Sequence, residues 1–211
     1  MKVVKSVDDG IGKVLDYLES QGLLDNTVVV YTSDQGFYLG EHGWFDKRFM
    51  YEQSLSTPLL VRYPKEIKAG TVVEEMVMNL DHAPTILDYA GISKPSEMQG
   101  NSWRKLVAGE PIPWRDAIYY HYYEYPGPHS VKRHYGVRTD RYKLIHFYYD
   151  VDEWEMYDLQ NDPDEMNSIY GNPEYAEVQE MLYQKLGELR VKYGDSDELN
   201  QQFINQSISK N

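Results

Sequence analysis

Apolar side chains recur at spacings of three and four along the first segment, at Val4, Val7, Ile11, Val14, Leu15 and Leu18. That stripe predicts an amphipathic helix. Gly22 is placed to end it, and Asp25-Asn26 to make the turn that follows. The period then changes. Thr27 to Thr32 is an unbroken β-branched and apolar run, the pattern of a strand buried on both faces, as in a parallel sheet covered by helices. A second apolar run, Pro58 to Tyr63, reads as a neighbouring strand stopped before Pro64. Helical spacing returns from Asp81 to Ala90, with Asp81 as N-cap, Pro84 in the first turn and Gly91 at the end. Ser102 to Val107 reads as a short helix.

The stretch "AGEPIPWRD" then marks a boundary, because its prolines and glycine interrupt any regular element. Beyond it the pattern is strand-like in four runs: Ala117–Tyr123, Tyr135–Thr139, Tyr142–Tyr148 and Glu153–Leu159. Short polar turns separate them, and short connections force antiparallel pairing. A last helix is predicted from about Pro173 to Tyr193, with Val178, Leu182, Leu186 and Leu189 on one face. The tail "DSDELNQQFINQSISKN" is polar and is expected to fray. The order predicts an α/β fold: part of an α/β sheet over residues 1–110, then a small α+β subdomain over 111–211, an antiparallel sheet plus a C-terminal helix.

Composition narrows the partners. The chain has 211 residues and a formal net charge of −13, which argues against nucleic acid or an anionic membrane surface. It leaves an anionic substrate open, since a few placed cations or a metal set the sign of a pocket. There is no cysteine, hence no disulfide, thiolate–metal site or cysteine nucleophile. The N-terminus carries Asp8 and Asp9 and lacks the apolar core of a secretion signal. No stretch is long and apolar enough for membrane insertion. Many of the twenty tyrosines lie between Tyr119 and Tyr149, as half-buried sheet surface or as a carbohydrate-stacking face.

Chemistry concentrates in "VVVYTSDQGFYLGEHGWFDK", residues 28–47. In open α/β sheets, sites form beyond the carboxyl ends of strands, where Asp34 and Gln35 fall. A carboxylate beside an amide oxygen suits a hard divalent cation, calcium or magnesium. Gly36 permits a tight backbone turn there. Lys47, past glycines 40 and 43, is available as a point charge over an anion held by the metal. Ser-Asp-x-Gly is equally an ordinary turn, so spacing alone leaves both readings open.

The blocks "SDQGFYLGEHGWFDKRFMYEQSLSTPLLVRYP", "LDHAPTILDYAGI" with "MQGNSW", and "YGVRTDRYKLIHFY" followed by "WEMYDLQNDPDEMNSI" resemble the sulfatase family of the alkaline phosphatase-like superfamily, from about Val7 to Gly194. The resemblance implies that Asp34 is a carboxylate ligand of an active-site calcium and that Gln35 is a second ligand. It implies that Lys47 contacts the substrate sulfate and stabilises the leaving oxygen. His42, in the Gly-Glu-His-Gly loop, is a packing residue or a substrate contact. Family members act on sulfate esters of sugars, glycosaminoglycans and aryl alcohols, and are often periplasmic, secreted or lysosomal.

The departure from the family is equally specific. Its members open with paired aspartates and a Cys/Ser-x-Pro-x-Arg motif, whose first residue matures to the formylglycine nucleophile. Neither is in this sequence. The chain therefore resembles the C-terminal portion of a sulfatase, and it is expected to be inactive without the N-terminal portion. Two alternatives stand beside it. One is a phosphoester or phosphonoester hydrolase of the same superfamily. The other is a non-catalytic module that binds sulfated glycan or a partner. Arg133, His134 and Tyr119–Tyr125 fall where the family shapes its leaving-group pocket, and packing explains them equally well.

Overall fold

The structure is a computed structural model that describes residues 2–208. The chain divides into two compact units. One runs up to Ser33 and from Pro58 to Pro113; the other comprises Asp34–Thr57 and the chain from Trp114 onward. The segment carrying the predicted chemistry thus groups with the second unit.

In the first unit, helix α1 (Lys2–Ser20) leads through a 3-10 turn at Leu24–Asn26 to strand β1 (Val29–Thr32). Gly22 takes φ +68°, the left-handed conformation that ends a helix. Strand β2 (Leu59–Arg62) pairs with β1 in antiparallel register, Val29 opposite Arg62 and Thr32 opposite Leu59. This corrects the expectation of a parallel, doubly covered sheet. Val30, Tyr31 and Leu60 are 40%, 42% and 66% exposed. Helix α1 buries none of its residues. Between its apolar stripe and the strands lies an open groove of about 570 Å³, lined by Val4, Val7, Ile11, Val29, Tyr31 and Leu60 among others. The sequence pattern specified apolar faces, but nothing among the described residues closes over them.

Helix α3 (His82–Tyr89) and helix α4 (Arg104–Val107) complete this unit. Asp81 precedes α3 without capping it. Its buried carboxylate instead accepts from the amides of Met78 and Asn101, both at 2.8 Å. Tying two chain segments satisfies more buried donors than a local cap would. Trp103 packs here, its amide donating to Thr85 Oγ1 at 3.0 Å.

The second unit is a four-stranded antiparallel meander in sequence order: β3 (Ala117–Tyr122), β4 (His134–Thr139), β5 (Tyr142–Phe147) and β6 (Glu153–Asp158). Alternation along each strand sends successive side chains to opposite faces. Tyr135, Val137, Leu144 and Met156 face helix α5 (Ala176–Lys192), whose Leu182, Leu186 and Leu189 close that core. Ile145, Phe147 and Tyr157 form a second cluster with Tyr38, Met50 and Tyr51 of the 34–57 segment. The sheet is therefore covered on both faces. Gly136 is required on this second face, because a Cβ there would fall on Met50 Sδ and the Leu144 carbonyl.

The tail differs from expectation. Helix α6 (Asp197–Ile208) occupies most of it, with Asn200 and Ile204 buried. Residues 209–211 lie outside the described residues. Just before α6, the buried Asp195 accepts from Tyr119 Oη and lies 2.8 Å from His121 Nδ1. A polar sequence hides this helix because tertiary contacts, not an apolar stripe, hold it.

Candidate active site

β1 ends at Thr32, and Asp34 and Gln35 follow on a loop, Asp34 exposed and Gln35 half-buried. The Gly36 amide donates to the Ser54 carbonyl at 2.8 Å, and a Cβ on Gly36 would overlap the Gln53 carbonyl. Only glycine fits so close an approach. The chain then runs into the sheet core. Tyr38 is fully buried, its hydroxyl donating to the Phe49 carbonyl at 2.9 Å and its amide to the Asp46 carbonyl at 2.7 Å.

The Gly-Glu-His-Gly loop is one 3-10 turn, Glu41–Gly43. His42 is left-handed at φ 51°, unusual for a side-chain-bearing residue. Its ring stacks on Tyr51, centroids 4.3 Å apart, and meets Tyr38 edge-on at 6.2 Å. Packing against the aromatic cluster is what holds the loop. Its Nε2 is buried and has no hydrogen-bond partner among the described residues.

Lys47 stands between two charged neighbours. Its amide donates to Asp46 Oδ1 at 2.8 Å, and its carbonyl accepts from Ser54 Oγ at 2.7 Å. Asp46 ion-pairs with Arg48, whose Nη2 donates to His129 Nε2 at 2.7 Å. Glu124 Oε2 lies 3.7 Å from Arg48 Nε. A polar, charged wall thus flanks Lys47, and its members were not identified from the sequence. Asp46 and Arg48 carry a local signal, since they bracket Lys47; His129, 81 residues beyond Arg48, carries none. Ser54 was missed as well, although one residue grips both Gly36 and Lys47.

Arg133 and His134 are fully buried. Arg133 Nε donates to the Tyr125 carbonyl, and His134 Nδ1 lies 2.8 Å from the Lys132 carbonyl amid the rings of Phe49, Tyr120, Tyr122 and Phe147. Burial depresses His134 to about 4, so it is neutral at neutral pH. Packing is the role the structure gives both. Among the described residues, no group of three or more His, Asp or Glu side chains could hold a metal ion. Asp34 and Gln35 have the donor chemistry that suits calcium, but fill a minority of the about six to eight oxygen positions such an ion takes.

With this geometry in hand, the fold matches that of solved sulfatases. A structure of BT4656 with its substrate D-glucosamine-2-N,6-O-disulfate superposes with a TM-score of 0.88 at 58% identity, over 92% of this chain and 40% of that one. The chain belongs to the family described as N-sulphoglucosamine sulphohydrolase, C-terminal, whose model matches residues 40–192. An N-acetylglucosamine-6-O-sulfatase of Bacteroides thetaiotaomicron is 58% identical over 93% of this chain. An arylsulfatase of Clostridium perfringens is 32% identical over 93% of it. The chain spans 36% and 41% of the length of these two relatives. Among the described residues, no helix is long and apolar enough to cross a membrane.

Proposed function

We propose that this chain is the C-terminal portion of a metal-dependent sulfatase that hydrolyses sulfate esters of a glucosamine-type sugar. The observation that carries this reading is the 58% identity, across nearly the whole chain, to an N-acetylglucosamine-6-O-sulfatase. The shared Ser54 contact of the Gln35–Gly36 and Lys47 segments supports it, because one site needs both together.

Asp34 and Gln35 supply oxygen donors for calcium, or magnesium in its place, which when bound polarises the sulfate as a Lewis acid. Lys47 neutralises charge developing on the leaving oxygen, the term that preorganised cations supply best. His42, whose ring stacks on Tyr51, is the further substrate contact in this reading. Asp46, Arg48 and His129 form a hydrogen-bonding wall for the sugar. The formylglycine nucleophile and the remaining metal ligands belong to the N-terminal portion, whose motifs are not in this sequence. The open groove of the first unit and the exposed Phe37, Leu39 and Phe45 of the second are apolar surfaces that portion would cover.

The test is a steady-state assay on N-acetylglucosamine 6-sulfate. The isolated chain is expected to be inactive with or without calcium, because the attacking group would be unactivated water. Joined to a matching N-terminal portion carrying matured formylglycine, it is expected to turn over. There Lys47→Ala should lower kcat by about two to three orders of magnitude. Metal-dependent turnover by the isolated chain, lost in Asp34→Ala, would show that the nucleophile lies within these residues.

A further inference from the structure

On the site side of the sheet, Arg138 of β4 and Lys143 of β5 stand directly opposite each other. Two cations in that relation repel. Glu52 of the short helix α2 (Glu52–Leu55) lies between them, Oε1 2.9 Å from Lys143 Nζ and Oε2 3.3 Å from Arg138 Nη2. Glu165 completes the set. Its Oε1 is 2.6 Å from Lys143 Nζ, and its Oε2 accepts the Glu52 amide at 2.6 Å. Lys143 and Glu165 are both fully buried, and Glu165 holds the left-handed conformation at φ 54°. Next to Glu52, Tyr51 Oη donates to Glu155 Oε2 at 2.8 Å.

Buried ion networks are poor stabilisers, because desolvation consumes most of the Coulombic gain. A lysine with no exposed surface, two carboxylates and a strained backbone are a costly way to dock one turn of helix. The cost is explained if the network fixes the position of what α2 carries. Two residues past Glu52, α2 carries Ser54, itself buried. Ser54 Oγ donates to the Lys47 carbonyl and the Ser54 carbonyl accepts from Gly36.

We propose that Ser54, held by the Lys143–Glu52–Glu165 network, is the positioning residue that sets the register of Lys47 against the Asp34–Gln35 segment. This rests on the assignment of Lys47 and Asp34 in the preceding section. The chain of contacts is continuous: sheet, ion network, α2, Ser54, then both arms of the site. A charge acting on a leaving oxygen loses its effect with small displacements, so a supporting shell of this kind is what such a site requires.

The experiment is a double-mutant cycle in the full-length sulfatase, with the formylglycine-bearing portion present, on N-acetylglucosamine 6-sulfate. Ser54→Ala removes one hydrogen bond and no more. It should lower kcat about tenfold with KM changed less than about twofold. In a Lys47→Ala background the same substitution should cost less than about twofold, because the group it positions is gone. Lys143→Met with Glu165→Gln, which removes both fully buried charges together and keeps Glu52 paired with Arg138, should reproduce the kcat-selective loss. Ser54→Ala effects that multiply fully with Lys47→Ala, or a loss carried by KM, would overturn the positioning role while leaving Lys47 intact as a catalytic group. Undiminished activity of Lys47→Ala would instead remove the site assignment, and this inference with it.

Discussion

The pair β1–β2 and the meander β3–β6 are built from similar residues and end in different states. Both are antiparallel, and both are rich in β-branched and aromatic side chains. Leu60 of β2 is 66% exposed, whereas Leu144 and Ile145 of β5 are fully buried. The difference lies in what covers the faces. The meander has α5 on one side and the 34–57 segment on the other. Among the described residues, the two-stranded pair faces the open groove beneath α1. Strand pattern therefore specifies a face that seeks a partner, and the partner must come from elsewhere in the protein. The 34–57 segment that carries Lys47 groups with the well-covered sheet.

The comparison breaks most readily at Leu144. Leu144→Ala should destabilise by about 3 kcal/mol, the cost of a cavity in a closed core, read as a fall in the denaturant midpoint. An equal or smaller loss than at an exposed site would mean the meander core is loose. Acid gives the next largest effect. Burial depresses His121 and His134 from 6.5 to about 4. The unfolded chain therefore binds protons that the folded one refuses, and stability should fall as pH drops from about 6.5 to about 4. Glu52 adds to the loss further into acid: despite its burial, Lys143 and Arg138 hold it below the usual carboxylate range. Glu165, raised by burial against the single Lys143, works in the opposite sense. Melting between pH 7.5 and 4.5 checks this, and His134→Phe should flatten the slope. A pH-independent melt would contradict the buried, neutral histidines.

Hydrogen exchange sharpens the contrast without a substitution. Amides of Val29–Thr32 and Leu59–Arg62 in the isolated chain should exchange well before those of His134–Thr139 and Tyr142–Phe147, because exposed pairs open locally. Joining the N-terminal portion should slow the first set and leave the second unchanged. The smallest effect is at Leu60. Leu60→Ala should change the stability of the isolated chain by less than about 0.5 kcal/mol. In the joined protein it should cost more. Identical small effects in both contexts would mean that the groove stays open there too.

Local periodicity accounts for much of the fold. The stripe of α1, the four runs of the meander and the Leu182–Leu186–Leu189 face of α5 need only a few neighbouring residues to be recognised, and each forms where the pattern places it. Asp34, Gln35 and Lys47 were singled out because their types and order resemble one family; the family match over residues 40–192 takes in Lys47 but begins after Asp34 and Gln35. Glu165 and His129 were not, since their meaning comes from contacts across long sequence separations such as the 113 residues between Glu52 and Glu165. Ser54 was not, because its contacts to Gly36 and Lys47 depend on how the loop folds rather than on a residue pattern. Helix α6 was hidden for a related reason, its anchor being Asp195 against Tyr119 and His121 rather than a stripe of its own. The sequence by itself determined most of the helices and strands and which of their faces are apolar, because these follow from side chains a few positions apart; the sulfate reading came from resemblance to a family, not from spacing. Only the tertiary structure decided that β1 and β2 pair antiparallel with an open face, that the 34–57 loop covers the meander, and that one serine ties Gly36 to Lys47. Those outcomes depend on which distant surfaces meet, and meeting is settled by burial and by satisfying polar groups across the whole chain.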